Sequence, residues 1–262
     1  MSEKPQRRSV FRRIAAFLVG TFCVLPFAYL LTLSFSGRWI FPDLLPEQLS
    51  TDVWRRLLAS HNELLDSAWL SVAISLAVAF ISTVAGYVTG RAIAYHPRGQ
   101  RLLLMAYVPF IMSPVILGVC LMYAYIRLGL TGTAVGVVLA QLIFAFGFSI
   151  VFFSGFWSGR VKALEDVVYT LGGSQWLAFV RVLLPVSKGM VLICFFQTFL
   201  ISWFQYGLTL LIGSGQIQTL PIKVYDYVNE ANFYLAAVAS CLLVLPPAAL
   251  IWINKRILYK PI

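Results

Sequence analysis

The sequence predicts an all-α polytopic membrane protein with six transmembrane helices, and three observations lead there. Of its 262 residues, 60% are hydrophobic and 11% are charged, whereas a soluble domain carries about 25% charged residues. Six stretches stay apolar over the roughly 20 residues that a helix needs to cross a hydrocarbon core about 30 Å thick. The 20 Lys and Arg residues divide unequally between alternate connections, the asymmetry that orients polytopic chains.

The spans are placed at about 14–33, 68–89, 102–126, 134–157, 190–212 and 235–253, within one transmembrane domain over residues 1–262. Arg7, Arg8, Arg12 and Arg13 precede the first span as they would a signal peptide. Its apolar run exceeds the 7 to 15 residues of a signal core, and no A-x-A site follows, so it is expected to remain as an anchor. Residues 34–67 form a polar segment with Pro42, Pro46 and the pair Arg55-Arg56, long enough for an amphipathic helix along the outer face. That segment reads either as a contact surface for an extracytoplasmic protein or as a cap over helix ends. In the third span, Pro109 and Pro114 mark a hinge or a static bend. The pairs Gly86-x3-Gly90, Gly132-x3-Gly136 and Gly155-x3-Gly159 have the spacing that lets membrane helices approach closely.

Counting bases by side gives the orientation. Lys4, Arg7, Arg8, Arg12, Arg13, Arg91, Arg98, Arg101, Arg160, Lys162, Arg181, Lys188, Lys255, Arg256 and Lys260 fall on one side; only Arg38, Arg55, Arg56, Arg127 and Lys223 fall on the other. Both termini are therefore expected in the cytoplasm. In a soluble protein the net charge of +10 would suggest a nucleic-acid partner. Here the bases flank apolar spans and no aromatic-basic motif joins them, so none is expected. Cys23, Cys120, Cys194 and Cys241 lie inside spans without metal-ligand spacing. The chain has no P-loop, H-E-x-x-H or G-x-S-x-G and only two histidines, so no catalytic residue, resident metal or cofactor is expected, and any ATP that drives it binds another subunit.

No span carries a full charge near its middle, which argues against a proton- or sodium-coupled carrier. The fifth span is the most polar, with Gln197, Thr198, Ser202, Trp203, Gln205 and Tyr206 within ten residues. On a continuous helix Ser202, Gln205 and Thr209 share one face, with Gln197 and Thr198 beside it. Gln197, Ser202, Gln205 and Tyr206 are read as lining a translocation pathway; the competing reading is hydrogen bonding between helices.

Residues 163–185, ALEDVVYTLGGSQWLAFVRVLLP, carry charge between two apolar spans. They read as two short amphipathic pieces, one with Leu164, Val167, Val168 and Leu171, the other with Trp176, Val180, Leu183 and Leu184. Gly172 and Gly173 supply the turn between them, Ser174 is placed to cap the second piece, and Pro185 to stop it. Composition alone is equally satisfied by a loop lying on lipid headgroups.

Spacing distinguishes the two. Asp166-Val167-Val168, three residues, Gly172, nine residues, Val182, one residue and Leu184-Pro185 resembles the EAA loop, E-A-A-x3-G-x9-I-x-L-P, of binding-protein-dependent ABC-importer permeases. The departures are Asp166 for Glu, and Val167 and Val168 for the two alanines. The resemblance implies a type I importer fold with a cytoplasmic coupling helix between helices 4 and 5. It implies that Glu165, Asp166, Val167, Val168, Gly172, Gly173, Leu184 and Pro185 meet an ATP-hydrolysing partner. It also implies a second permease, identical or related, two ATP-binding cassette subunits that carry ATP-Mg, an extracytoplasmic solute-binding protein, and a bacterial inner-membrane location. Gln218-Thr219-Leu220-Pro221-Ile222-Lys223-Val224-Tyr225 resembles the branch of the family that serves polyamines, ferric iron, thiamine and some oxyanions or phosphonates. Seven acids against five bases on the outer side favour a cation, hence the expectation of a polyamine. The rivals are a stand-alone secondary carrier or channel and a membrane-embedded enzyme; the latter lacks any nucleophile-base or paired-acid set.

Overall fold

The computed structural model describes residues 4–38, 43, 46, 48–59 and 62–258. Pro42 and Glu47 of the outer segment, and Lys260, lie outside them. The chain runs α1 Lys4–Ser34, β1 Ser36–Arg38, β2 Gln48–Leu49, α2 Asp52–Ala59, α3 Glu63–Ala94, α4 Gly99–Ile111, α5 Pro114–Arg127 and α6 Ala134–Phe156. It continues through α7 Gly159–Thr170, α8 Gln175–Ala178, a π-helical segment Phe179–Leu183, α9 Leu184–Trp203, α10 Gly207–Gly213, α11 Leu220–Asn229 and α12 Phe233–Leu258.

Among the described residues, five helical runs are long and apolar enough to cross a bilayer: Phe17–Ser34, Glu63–Ala94, Ala134–Phe156, Gln175–Trp203 and Phe233–Leu250. The predicted third span is a broken pair, α4 and α5, bent by 96°. The bend falls at Met112 and Ser113, where Ser113 is extended at φ −62°, ψ 142°. Proline disfavours helical backbone in the residue before it, so the bend sits just ahead of Pro114, whereas Pro109 lies inside α4.

The described residues gather into two compact units. One holds residues 1–65 and 223–245. In it β1 pairs antiparallel with β2, and the amphipathic helix expected in the outer segment is present as α2. Phe35 and Trp54 stack at 5.8 Å, and Lys223 pairs with Glu63 at 2.8 Å.

The other unit holds residues 66–222 and 246–262. One of its apolar clusters joins Ile74 and Val78 of α3 with Val137, Ala140, Phe144 and Ala145 of α6 and with Leu208 and Ile212 of α10. A second joins Tyr87, Phe153, Trp157, Val161, Leu183 and Cys194. Between the clusters α3 presses on α6 through one of the three glycine pairs. A Cβ at Gly86 would overlap the Cβ of Ser149, and one at Gly90 would meet that of Phe153 at 2.9 Å. At Gly155 and Gly159 it would meet nothing within 4 Å. Gly86→Leu should therefore cost about 1 to 3 kcal/mol by overpacking, seen as lower membrane abundance and an earlier thermal transition, while Gly155→Leu stays near the parent on both.

Candidate functional site

Two places in the second unit carry the residues that the sequence singles out. The first is the turn after α7. The Gly172 N–H bonds the carbonyl of Tyr169 at 3.0 Å and the Gly173 N–H bonds that of Val168 at 2.9 Å, with Gly172 left-handed at φ +79°. This bond pair closes a helix and reverses the chain around a residue that needs no Cβ. The two glycines serve different ends. Gly172 has open space around it, so only its dihedral excludes larger residues. A Cβ on Gly173 would run into the side chain of Val168 and lie 2.9 Å from its carbonyl oxygen. Ser174 then caps α8 as expected, its Oγ accepting the Leu177 N–H at 3.3 Å.

Pro185 does not stop the second piece. From Gln175 the helix continues through the π-helical segment into α9, with Pro185 in the first turn of α9. The Leu184 N–H bonds the carbonyl of Phe179, five residues back. This wider turn shifts the carbonyl register just where the proline ring and missing N–H would break an α-ladder.

The α7 helix has two dissimilar faces. Leu164, Asp166, Val167 and Leu171 are exposed, with Leu171 83% exposed, and Trp176 beyond the turn is 74% exposed. Val168 is half-buried, and Leu184 and Pro185 are exposed. On the opposite face, Val161 and Glu165 are buried. Glu165, expected on the coupling surface with its neighbours, is thus turned inward and only 3% exposed. A carboxylate so placed needs a partner, and Arg91 on α3 provides one. One Arg91 Nη lies 2.8 Å from Oε1 and donates to Oε2 at 3.0 Å.

The surroundings fix that pair. The Arg91 guanidinium stands over Trp157, 5.8 Å from the ring centroid. The Trp157 indole donates to the Tyr87 carbonyl at 3.3 Å, and the Tyr87 hydroxyl meets that of Ser187 at 3.0 Å. The Lys162 ammonium lies over Tyr95 at 5.6 Å. Arg91 Nε and Tyr95 Oη are buried without hydrogen-bond partners of their own, and Glu165 Oε1 faces the same Arg91 Nη that donates to Oε2. Spare donors thus sit together at the root of α7. Nothing in the sequence spacing points to Arg91, 74 residues earlier in the chain.

The second place is the fifth predicted span, which is not one helix. The α9 helix ends at Trp203 and α10 starts at Gly207. Between them the Phe204 N–H bonds the carbonyl of Leu200 at 3.1 Å and the Gln205 N–H bonds that of Ser202 at 3.0 Å. The common face expected for Ser202, Gln205 and Thr209 is broken by this interruption. Ser202 is buried and donates from Oγ to Gln141 Oε1 on α6. Gln141 Nε2 donates to Thr209 Oγ1 at 2.8 Å, and that hydroxyl donates to the Gln205 carbonyl at 2.9 Å. Ser202 therefore has the environment of the helix-to-helix bonding alternative. Gln197 is exposed, and Gln205 and Tyr206 are half-buried at the break. Gln141, which clamps both halves of the broken span, was not anticipated because it is a lone amide in an otherwise apolar helix.

Known proteins resemble the chain in sequence and in fold. No protein-family model matches the chain. PhnV of Salmonella typhimurium, the proposed permease protein of a 2-aminoethylphosphonate transport system, is 25% identical over 251 residues, 92% of this chain and 91% of that protein. The maltose/maltodextrin transport system permease protein MalG of Escherichia coli is 26% identical over 234 residues, 79% of this chain and 78% of that one. Among solved structures, a chain of a bacterial ABC transporter involved in import of the acidic polysaccharide alginate superposes with a TM-score of 0.63 at 16% identity, covering all of both chains. The curated homologues of this chain are transport-system permease proteins, and its fold is that of a chain of an alginate-importing ABC transporter.

Proposed function

We propose that the chain is a non-catalytic permease subunit of an ATP-driven importer, forming half of the pathway by which a small solute crosses a bacterial inner membrane. The observation that carries this reading is the α7-turn-α8 hairpin. One face is apolar, exposed and marked by Asp166, and the other is fixed to α3 through Glu165. A short helix with that surface is suited to seat in a groove of a separate protein. The reading assigns Asp166, Val167, Val168, Gly172 and Gly173 to the contact with an ATP-hydrolysing subunit. It makes Glu165 a positioning residue behind that contact and Leu184 and Pro185 part of the helix leading back to the membrane. Both termini and the hairpin are cytoplasmic in it, by the distribution of Lys and Arg. A second permease, two ATP-binding subunits and a solute-binding protein complete the assembly, with ATP-Mg on the partners.

The relatives carry 2-aminoethylphosphonate, maltose/maltodextrin and alginate in their names; the polyamine expectation has no counterpart among them, and the reading is of a small-solute importer. Within the pathway, Gln197, Gln205 and Tyr206 are proposed to face solute, and Ser202 to hold α9 against α6. Purification of the tagged chain from its native membranes tests the assembly: an ATP-binding cassette subunit should co-purify with it, and its consistent absence would contradict the reading. In the reconstituted complex, Gln205→Leu should lower uptake severalfold with basal ATP hydrolysis retained. Ser202→Ala should instead lower abundance, by a bond worth about 0.6 to 2 kcal/mol.

A further inference from the structure

The tight connection between α3 and α4 encloses a cleft of about 560 Å³, within the size range of small-ligand sites. Its lining includes His96, Arg98, Arg101, Leu103, Ser154 and Trp157. The connection satisfies its own backbone. The Gly99 N–H bonds the His96 carbonyl at 2.9 Å, and the Arg101 and Leu102 N–H groups bond the Arg98 carbonyl at 3.0 and 3.3 Å. The Arg98 N–H bonds His96 Nδ1 at 3.0 Å. With Nδ1 accepting, the neutral imidazole carries its proton on Nε2. What remains for a ligand is a set of donors: two guanidinium groups, the imidazole N–H and the amide of Gln100.

No carboxylate lines the cleft; of the two acids on α7, Glu165 is committed to Arg91 and Asp166 lies on the exposed face of the helix. The positive charge is therefore uncompensated, and the complementary occupant is an anion. The level of the cleft narrows the choice further. The α3 helix loses its apolar sequence at Ala94 and α4 regains one at Leu102, so the cleft opens where two membrane helices leave the hydrocarbon layer. Leu103 and Trp157 give it an apolar wall beside the bases. Basic pockets between membrane helices at this level suit phospholipid headgroups. We infer that the cleft between α3, α4 and the end of α6 binds the phosphate of an anionic phospholipid, with Arg98 and Arg101 as its principal ligands and the acyl chains leaving past Leu103.

The experiment uses the protein purified in mild detergent with the subunits that accompany it, and native mass spectrometry after addition of phosphatidylglycerol or phosphatidylcholine. The parent should retain phosphatidylglycerol at least fivefold more than phosphatidylcholine. An Arg98→Gln/Arg101→Gln double variant with a parental melting transition should lose that preference, and phosphatidylcholine retention should not change. If the double variant melts early, the single variant Arg101→Gln is judged by the same criterion, and the part of the tryptophan quenching by brominated phosphatidylglycerol that is lost in Trp157→Phe serves as the second measurement. Equal retention of both lipids by the parent, or an undiminished preference in a folded variant, overturns the inference. Displacement by 10 mM inorganic phosphate identifies a free-anion site and overturns the lipid assignment. Binding that appears only when partner subunits are stripped away assigns the cleft to a protein carboxylate and overturns it too.

Discussion

Gly172→Val is expected to leave the chain inserted and near parental abundance while reducing solute uptake by about tenfold or more. Gly172 is left-handed at φ +79°, and its missing Cβ faces open space. The penalty is therefore one of backbone conformation, about 1 to 3 kcal/mol for a β-branched residue, where each 1.4 kcal/mol is about tenfold in an equilibrium. The hairpin lies outside the spans, so the cost appears in the geometry of α7 against α8 rather than in membrane insertion. Uptake, solute-stimulated ATP hydrolysis and the amount of attached ATPase, measured on equal amounts of complex, should all fall. Gly172→Ala should fall in the same direction by less. Gly173→Ala perturbs the same hairpin for another reason, because its Cβ would displace Val168. Parental uptake by Gly172→Val with the ATPase fully attached would show that the hairpin does not transmit work.

Glu165→Gln is expected to have the next largest effect, again without loss of the spans. Removing one member of a buried ion pair strands the other charge and costs about 3 to 5 kcal/mol, less where one partner keeps contact with water. The Arg91 side chain is 38% exposed, so the cost should lie below that range. It should be read as a mobile α7, cut faster by protease between Gly159 and Leu171, with uptake reduced about fivefold. The exchange Glu165→Arg with Arg91→Glu should restore both readouts to within about threefold, because the pair acts between α7 and α3 and not on a partner. If Arg91→Gln behaves as the parent in both assays, Glu165 is held by the apolar packing around Val161 alone. Restored protease resistance without restored uptake would instead separate the anchor, which stands, from the coupling role, which does not.

The contrast between these residues shows what spacing in a sequence carries. Asp166, Gly172 and Leu184-Pro185 stand at intervals that mark a helix, a left-handed turn and a returning helix, and the structure places such elements there. Interval says nothing about which side of a helix meets its own protein. Spacing alone therefore groups Glu165 with Asp166, although one is buried against Arg91 and the other is exposed. The partner that decides this is distant in the chain and close only once α3 is packed. Pro185 shows a different limit. Proline ends an ideal α-helix, but here a π-turn just before it lets the helix run on, with Leu183 buried in the second apolar cluster. The fifth span reads as one helix because the apolar sequence runs on from 190 to 212 without a proline. The break at Phe204 arises where Gly207 brings α10 against Val115, a Cβ there falling 2.7 Å from the Val115 side chain. By contrast, the third span disclosed its bend through Pro114, since the residue before a proline is restricted by local sterics alone.

The central claim is that the exposed face of α7 seats on an ATP-hydrolysing subunit, and one cross-linking measurement addresses it. A single cysteine at Val167, which is 55% exposed on that face, is introduced into a background without Cys23, Cys120, Cys194 and Cys241. A short reagent with one thiol-reactive end and one photoactivated end, which inserts into any neighbouring side chain, is then applied to native membranes. Val167→Cys should form a covalent adduct with an ATP-binding cassette subunit, and the yield should change when ATP is bound. A cysteine at Leu245, an exposed position of α12, should form none. No adduct from Val167→Cys, or an adduct equally formed from both positions, would contradict the assignment of this hairpin as the coupling element.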